Sequence, residues 1–96
     1  MLAAVFAYEV EPAQAEAFEA VYGSDGEWAR FFRGAAGYLG TELWRRDEHY
    51  LVIDRWESEA AYDAFLAAHA DEYGRRNAAG TALYRRETVL GRFTDR

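Results

Sequence analysis

Between Gly37 and Phe65 the chain reads GYLGTELWRRDEHYLVIDRWESEAAYDAF, and this run leaves little choice of local structure. Tyr38 to Arg45 is dense in aromatic and aliphatic residues, Arg46-Asp47-Glu48 is a polar turn, and His49 to Trp56 resumes the strand pattern. Ser58 then stands where an N-cap belongs, since its hydroxyl accepts one of the N–H groups that the first helical turn leaves unpaired. The spacing predicts a hairpin that feeds a helix with no linker. Gly40, inside the first of these strands, marks a bulge or a close backbone approach.

The flanks repeat the same logic. Ala3 to Val10 is an almost continuous apolar run ended by Glu11-Pro12, as in a strand covered on both faces. Pro12 suits the first turn of a helix, where its missing N–H costs little. From Ala13 the run AQAEAFEAVY is helical, with Phe18, Val21 and Tyr22 on one face. Gly23 interrupts it, and Ser24 with Glu27 has capping-box spacing for a second helical piece carrying Trp28, Phe31 and Phe32. Beyond Ser58, Tyr62, Phe65, Leu66, His69 and Tyr73 fall on one helical stripe facing the sheet, with Gly74 as its end or kink. Arg75 to Leu83 is ambiguous, and fits a further helical turn or two. Tyr84 to Thr94 is the last strand, placing Arg85, Glu87, Val89, Gly91 and Phe93 on one face.

The order β-α-β-β-α-β with right-handed crossovers gives one domain over residues 1–96. It is an α+β ferredoxin-like sandwich, an antiparallel four-stranded sheet with both helical units on one face. A solvated second face would alternate apolar and polar residues, but VFAYEV, YLGTELW and YLVIDRW carry apolar groups on both sides. The expected solution is a homodimer packed sheet on sheet. Composition agrees: in 96 residues, 51% are hydrophobic and 17% aromatic, more than one small core needs.

A net charge of −6 argues against nucleic acid or an anionic membrane as partner. The chain has no cysteine, which removes thiolate chemistry and fits a cytoplasmic setting. The first residues lack a signal-peptide pattern, and no segment has the roughly 20 apolar residues of a membrane span. Two histidines without HExxH spacing speak against a metal, and GAAGYLG lacks the strand-then-helix setting of a dinucleotide loop, so no cofactor is expected.

With GYLGTEL followed by YLVIDRWESEAAYDAF in this element order, the chain resembles the antibiotic biosynthesis monooxygenase family of dimeric α+β barrels. The resemblance spans essentially the whole chain and is strongest from Arg55-Trp56-Glu57-Ser58 into the helix with Tyr62 and Phe65. It implies several activities: cofactor-independent oxygenation of polycyclic phenols, haem degradation, or ligand binding without turnover. The haem-degrading pattern has an asparagine on the first strand, a tryptophan on the second helix and a later axial histidine. Here the first strand has no asparagine, the tryptophan position falls on Phe65, and His69 comes earlier than the ligand would.

The resemblance therefore points to a cofactor-independent monooxygenase acting on an electron-rich phenol or hydroquinone. The alternative is a dimeric protein of the same fold that binds a small molecule without turnover. His69 reads as either the base that takes a phenolic proton or a boundary histidine bonded to its surroundings. Tyr62 is grouped with it as catalytic. Tyr8, Trp28, Phe32, Trp56 and Tyr73 are the expected walls of a pocket for a small aromatic molecule, with its mouth at the break near Gly23 and Gly26. Arg55 reads as an ion pair with Glu42 across the hairpin or an anchor for an anionic substrate, and Asp54 stands out as an acid inside a strand.

Overall fold

The computed structural model describes residues 1–96. Its elements are β1 (Leu2–Glu9), α1 (Ala15–Tyr22), α2 (Glu27–Phe32), β2 (Tyr38–Arg46), β3 (His49–Trp56), α3 (Glu59–Ala68), α4 (Ala70–Gly80) and β4 (Arg86–Thr94), with 3-10 turns at Pro12–Gln14 and Thr81–Leu83. The strands form one antiparallel sheet in the order β2-β3-β1-β4. This is the ferredoxin-like arrangement, with each helical unit split in two. No helix is long and apolar enough to cross a membrane.

Strand register decides which residues meet the helices, because directly opposed residues of an antiparallel pair point to the same face. Tyr8 opposes Tyr50, Phe6 opposes Val52, Ala4 opposes Asp54 and Leu2 opposes Trp56. These files face the helices and close a core with Phe18 and Tyr22 of α1, Trp28 and Phe32 of α2, and Tyr62 and Phe65 of α3. Trp56 and Phe18 are fully buried, each contributing about 1.5–3 kcal/mol over an exposed side chain. The intervening residues Ala3, Val5, Ala7, Leu51 and Ile53 form the opposite face and are only half-buried.

Both edge strands carry a bulge. Against β3, β2 skips Leu39, so that Tyr38 pairs with Trp56 and Gly40 with Arg55. Against β1, β4 skips Leu90, with Gly91 opposite Val5 and Val89 opposite Phe6. Gly40 (φ 137°) and Gly91 (φ 121°) supply the positive φ that these kinks require. The expected bulge at Gly40 is present. The bulge in β4 was not expected, and it corrects the facing of that strand: Glu87 and Val89 share the helix face with Tyr8 and Phe6, while Gly91 and Phe93 lie on the opposite face.

One local reading holds and two are corrected. Ser58 does cap α3, its Oγ accepting from the Ala61 N–H at 3.1 Å. Ser24 and Glu27 form no capping box; Gly26 is the N-cap of α2 and no side chain caps that end. The second helical unit breaks at His69 (φ −123°, ψ 30°), five residues before the expected kink at Gly74, and the ambiguous segment continues as α4 to Gly80. The change of axis carries Tyr73 against Trp28 while leaving His69 exposed.

Candidate active site

A cleft lies between the helices and the inner face of the sheet, walled by Tyr8, Phe6 and Val52 from the strands and by Trp28, Phe32 and Tyr62 from the helices. Tyr73, Asn77 and Glu87 form the more exposed rim, so the cleft opens between α4 and β4. Val89 marks the same gap: it faces the helices beside Phe6 and yet is 64% exposed. The expected mouth at Gly23 and Gly26 is therefore displaced. The α1–α2 break instead borders a separate pocket with Val21, Glu27 and Arg76, which shares only Trp28 with the cleft.

Asp54 is the unusual member of the lining. It is 6% exposed among Val52, Trp56 and Tyr62, in a file that is otherwise aromatic and aliphatic. Thr41 Oγ1 donates to Asp54 Oδ1 at 2.7 Å, and Tyr38 Oη lies 2.6 Å from Thr41 Oγ1. With the Thr41 proton committed to the carboxylate, the Tyr38 hydroxyl is the donor to Thr41. No further hydrogen bond from the chain reaches Asp54, and it borders the cleft. Burial pushes its carboxyl up to about 6, only partly opposed by the Thr41 hydrogen bond.

The tyrosines shift in the same direction, which in their case keeps them protonated. Burial raises Tyr8, and the hydrogen bond from its hydroxyl to Glu87 Oε2 (2.6 Å) raises it further. Burial pushes Tyr22 up to about 12. Tyr62 is raised by burial, then by Tyr73 and Asp54, with Arg92 acting against. Near neutral pH the cleft thus offers phenolic donors around one carboxyl poised to exchange a proton.

Of the residues singled out from sequence, Tyr8, Trp28, Phe32, Tyr62 and Tyr73 are brought together in the cleft. Trp56 is not. It is fully buried beneath Phe32, Tyr62 and Phe65, and its Nε1 has no hydrogen-bond partner, an unmet donor costing about 1–3 kcal/mol. His69 is not either. It is exposed at the α3–α4 break, its ring 4.5 Å from Phe65 and 6.0 Å from Phe31, because the change of helix axis takes it off the stripe that faces the sheet. Arg55 pairs through Nε with Glu42 on the opposite sheet face, the structural one of its two readings.

Sequence reasoning left Asp54, Thr41, Asn77 and Glu87 out of the site. Asp54 carried a signal: alternate residues from Tyr50 to Trp56 are Tyr, Val, Asp, Trp, so a lone acid sits in an inward file. Glu87 and Thr41 carried none, because the two bulges reset which residues of β4 and β2 face inward.

A ferredoxin-like sandwich with an aromatic cleft around one buried carboxyl defines the structural class. The chain belongs to the antibiotic biosynthesis monooxygenase family, whose pattern matches residues 1–75. SnoaB, a cofactor-independent oxygenase from Streptomyces nogalater, is 28% identical and superposes with a TM-score of 0.74 over 99% of this chain and 92% of that one. A monooxygenase from Streptomyces coelicolor, solved in complex with nanaomycin D, shares the fold with a TM-score of 0.71 at 24% identity, over 99% of this chain and 87% of that one. A heme oxygenase (mycobilin-producing) of Mycobacterium tuberculosis is 34% identical over 70 residues, 65% of this chain and 67% of the relative. Family and likeness together support a monooxygenase-type function.

The residues present do not fit haem. His69 lies outside the cleft, and His49 is exposed on the opposite face of the sheet. Neither imidazole faces the cleft, so neither is placed as an axial ligand.

Proposed function

We propose that this protein is a cofactor-independent monooxygenase that converts an electron-rich phenol or hydroquinone to a quinone, with Asp54 as the base. The observation that carries the reading is the buried Asp54 carboxyl, held on one side by Thr41 and bordering an aromatic cleft. Asp54 takes the phenolic proton, leaving a phenolate whose ring carbon can transfer electrons to dioxygen. A C–O bond forms at that carbon to give a hydroperoxide. The O–O bond then breaks with loss of water, and the ring is left as the quinone. A phenol and one dioxygen become a quinone and one water, a hydroquinone and one dioxygen become a hydroxyquinone and one water, and in both cases all four electrons come from the ring, so no external reductant is needed. The aromatic walls stack the substrate and keep water out, which strengthens each polar contact in the site.

The half-buried apolar sheet face supports a homodimer packed through Val5, Leu51 and Ile53, with exposed Trp44 and Phe93 at its flanks. Likeness to SnoaB at 28% identity favours the oxygenase reading. The 34% identity to a heme oxygenase favours haem as the competing substrate, and the two histidine positions argue against it. Oxygen uptake by metal-stripped protein over a panel of anthrones, naphthols and dihydroquinones tests the proposal. Saturable uptake above buffer autoxidation, lost in Asp54→Asn, is the expected result. Binding without uptake would make this a ligand-binding protein. Tight haem binding with uptake only in its presence would move it to haem degradation.

A further inference from the structure

The cleft is lined by two carboxylates and no cation. Asp54 borders its floor and Glu87 its rim, and no arginine reaches the lining. The nearest guanidinium groups are committed elsewhere. Arg92 lies over the Tyr62 ring at 4.8 Å, but its Nη1 donates to Glu59 and Asp63 at 2.8 Å each. Arg76 lies over Phe31 at 4.5 Å and pairs with Glu72 at 2.8 Å. Each is already paired with carboxylates outside the cleft, Arg92 with two and Arg76 with one. The tyrosine hydroxyls and Asn77 add neutral dipoles only.

We infer that the cleft is selective for charge: it takes an uncharged aromatic bearing hydroxyl donors and rejects the same ring carrying a carboxylate. The inference rests on the aromatic-oxygenase reading above and goes further by naming which members of that substrate class enter. Two carboxylates facing a buried third anion are repelled from it, since water is excluded and the low dielectric strengthens the repulsion. A neutral hydroquinone instead presents O–H donors, and the acceptors waiting for them are the same two carboxylates. Glu87 accepts the Tyr8 hydroxyl through Oε2 and keeps Oε1 for a ligand donor, which makes it the specificity residue.

The test compares naphthohydroquinone with the same ring carrying one carboxylate. Binding is measured without oxygen, by quenching of tryptophan fluorescence and by calorimetry, at about pH 8, above the Asp54 value of about 6. The wild-type protein is expected to bind the neutral ring at least about tenfold more tightly than the acid. Glu87→Gln, which keeps an amide oxygen to accept from Tyr8, is expected to bring the two within about threefold by improving binding of the acid alone. Glu87→Asp restores the charge and is expected to restore the discrimination, which separates a charge effect from a change of shape. Equal or tighter binding of the acid by the wild type overturns the charge rule while leaving the oxygenase reading intact. If neither ring binds, the aromatic reading itself fails and the rule fails with it.

Discussion

The two faces of the sheet are made by the same strands, residue by alternate residue, and yet they solve different problems. The inner face buries Tyr8, Tyr50, Val52 and Trp56 and sets Asp54 and Thr41 among them. The outer face sets Val5, Leu51 and Ile53 beside the Arg55–Glu42 pair and leaves Trp44 61% and Phe93 53% exposed. A buried carboxyl beside an aromatic wall is unfavourable for stability, and it is tolerated where it serves chemistry. An apolar face with ion pairs near its edge has no chemistry to do, and it suits a second subunit. The contrast teaches that polarity inside and apolarity outside are both departures from simple packing, and each points to its own function.

The largest effect is expected at Asp54. Asp54→Asn keeps the shape and removes the base, so oxygen uptake on a confirmed phenolic substrate is expected to fall by about a hundredfold or more. In the wild type, uptake is expected to rise with pH through about 6 as the carboxyl ionises; a flat profile across that range would remove Asp54 from the proton step. On the outer face, Ile53→Lys places a charge where the apolar interface is proposed. Light scattering is expected to move from twice the 11.0 kDa subunit mass to the subunit mass itself, with association weakened by about a hundredfold. A variant that stays dimeric would place the interface elsewhere.

Stability sharpens the same comparison. Asp54 holds its proton more tightly in the folded protein than in the unfolded chain, so its ionisation lowers stability as pH rises from about 4 through about 6. The loss is about 3 kcal/mol at most. Thermal melts from pH 4 to 8 are expected to show Asp54→Asn gaining on the wild type across this window; parallel melting curves would mean that the carboxyl is better solvated than its burial suggests. Tyr62→Phe removes one phenolic donor from the cleft and is expected to change kcat/KM by about three- to tenfold. The smallest effect is expected at His69, where an alanine leaves uptake within about twofold; a large loss would restore His69 to the site and break the assignment to Asp54.

Most of the fold was legible because its signals are local. The hairpin turn at Arg46-Asp47-Glu48 and the cap at Ser58 depend on residues a few positions apart, and both stand where the sequence set them. The site was legible to the extent that it is made of large aromatics, as Tyr8, Trp28, Phe32, Tyr62 and Tyr73 show. What failed was direction. A helical stripe drawn from Tyr62 to Tyr73 assumes one axis, and the axis changes at His69. A strand drawn with strict alternation through β4 assumes no bulge, and the skip at Leu90 returns Glu87 to the inner face. A single kink moves a functional side chain across a surface without altering the composition of the stretch that holds it.

The bulges that misdirect the reading also shape how copies of this molecule can meet. A flat, regular outer strand is a template on which another chain can add, and addition of that kind has no natural end. Here the strands at both borders, β2 and β4, are kinked at Gly40 and Gly91, and each thrusts a leucine out of line. Neither border offers an unbroken row of donors and acceptors. Lateral growth is disfavoured on both sides at once, which leaves the broad apolar face as the surface for the proposed dimer, where one partner would fill the surface and leave none for a third.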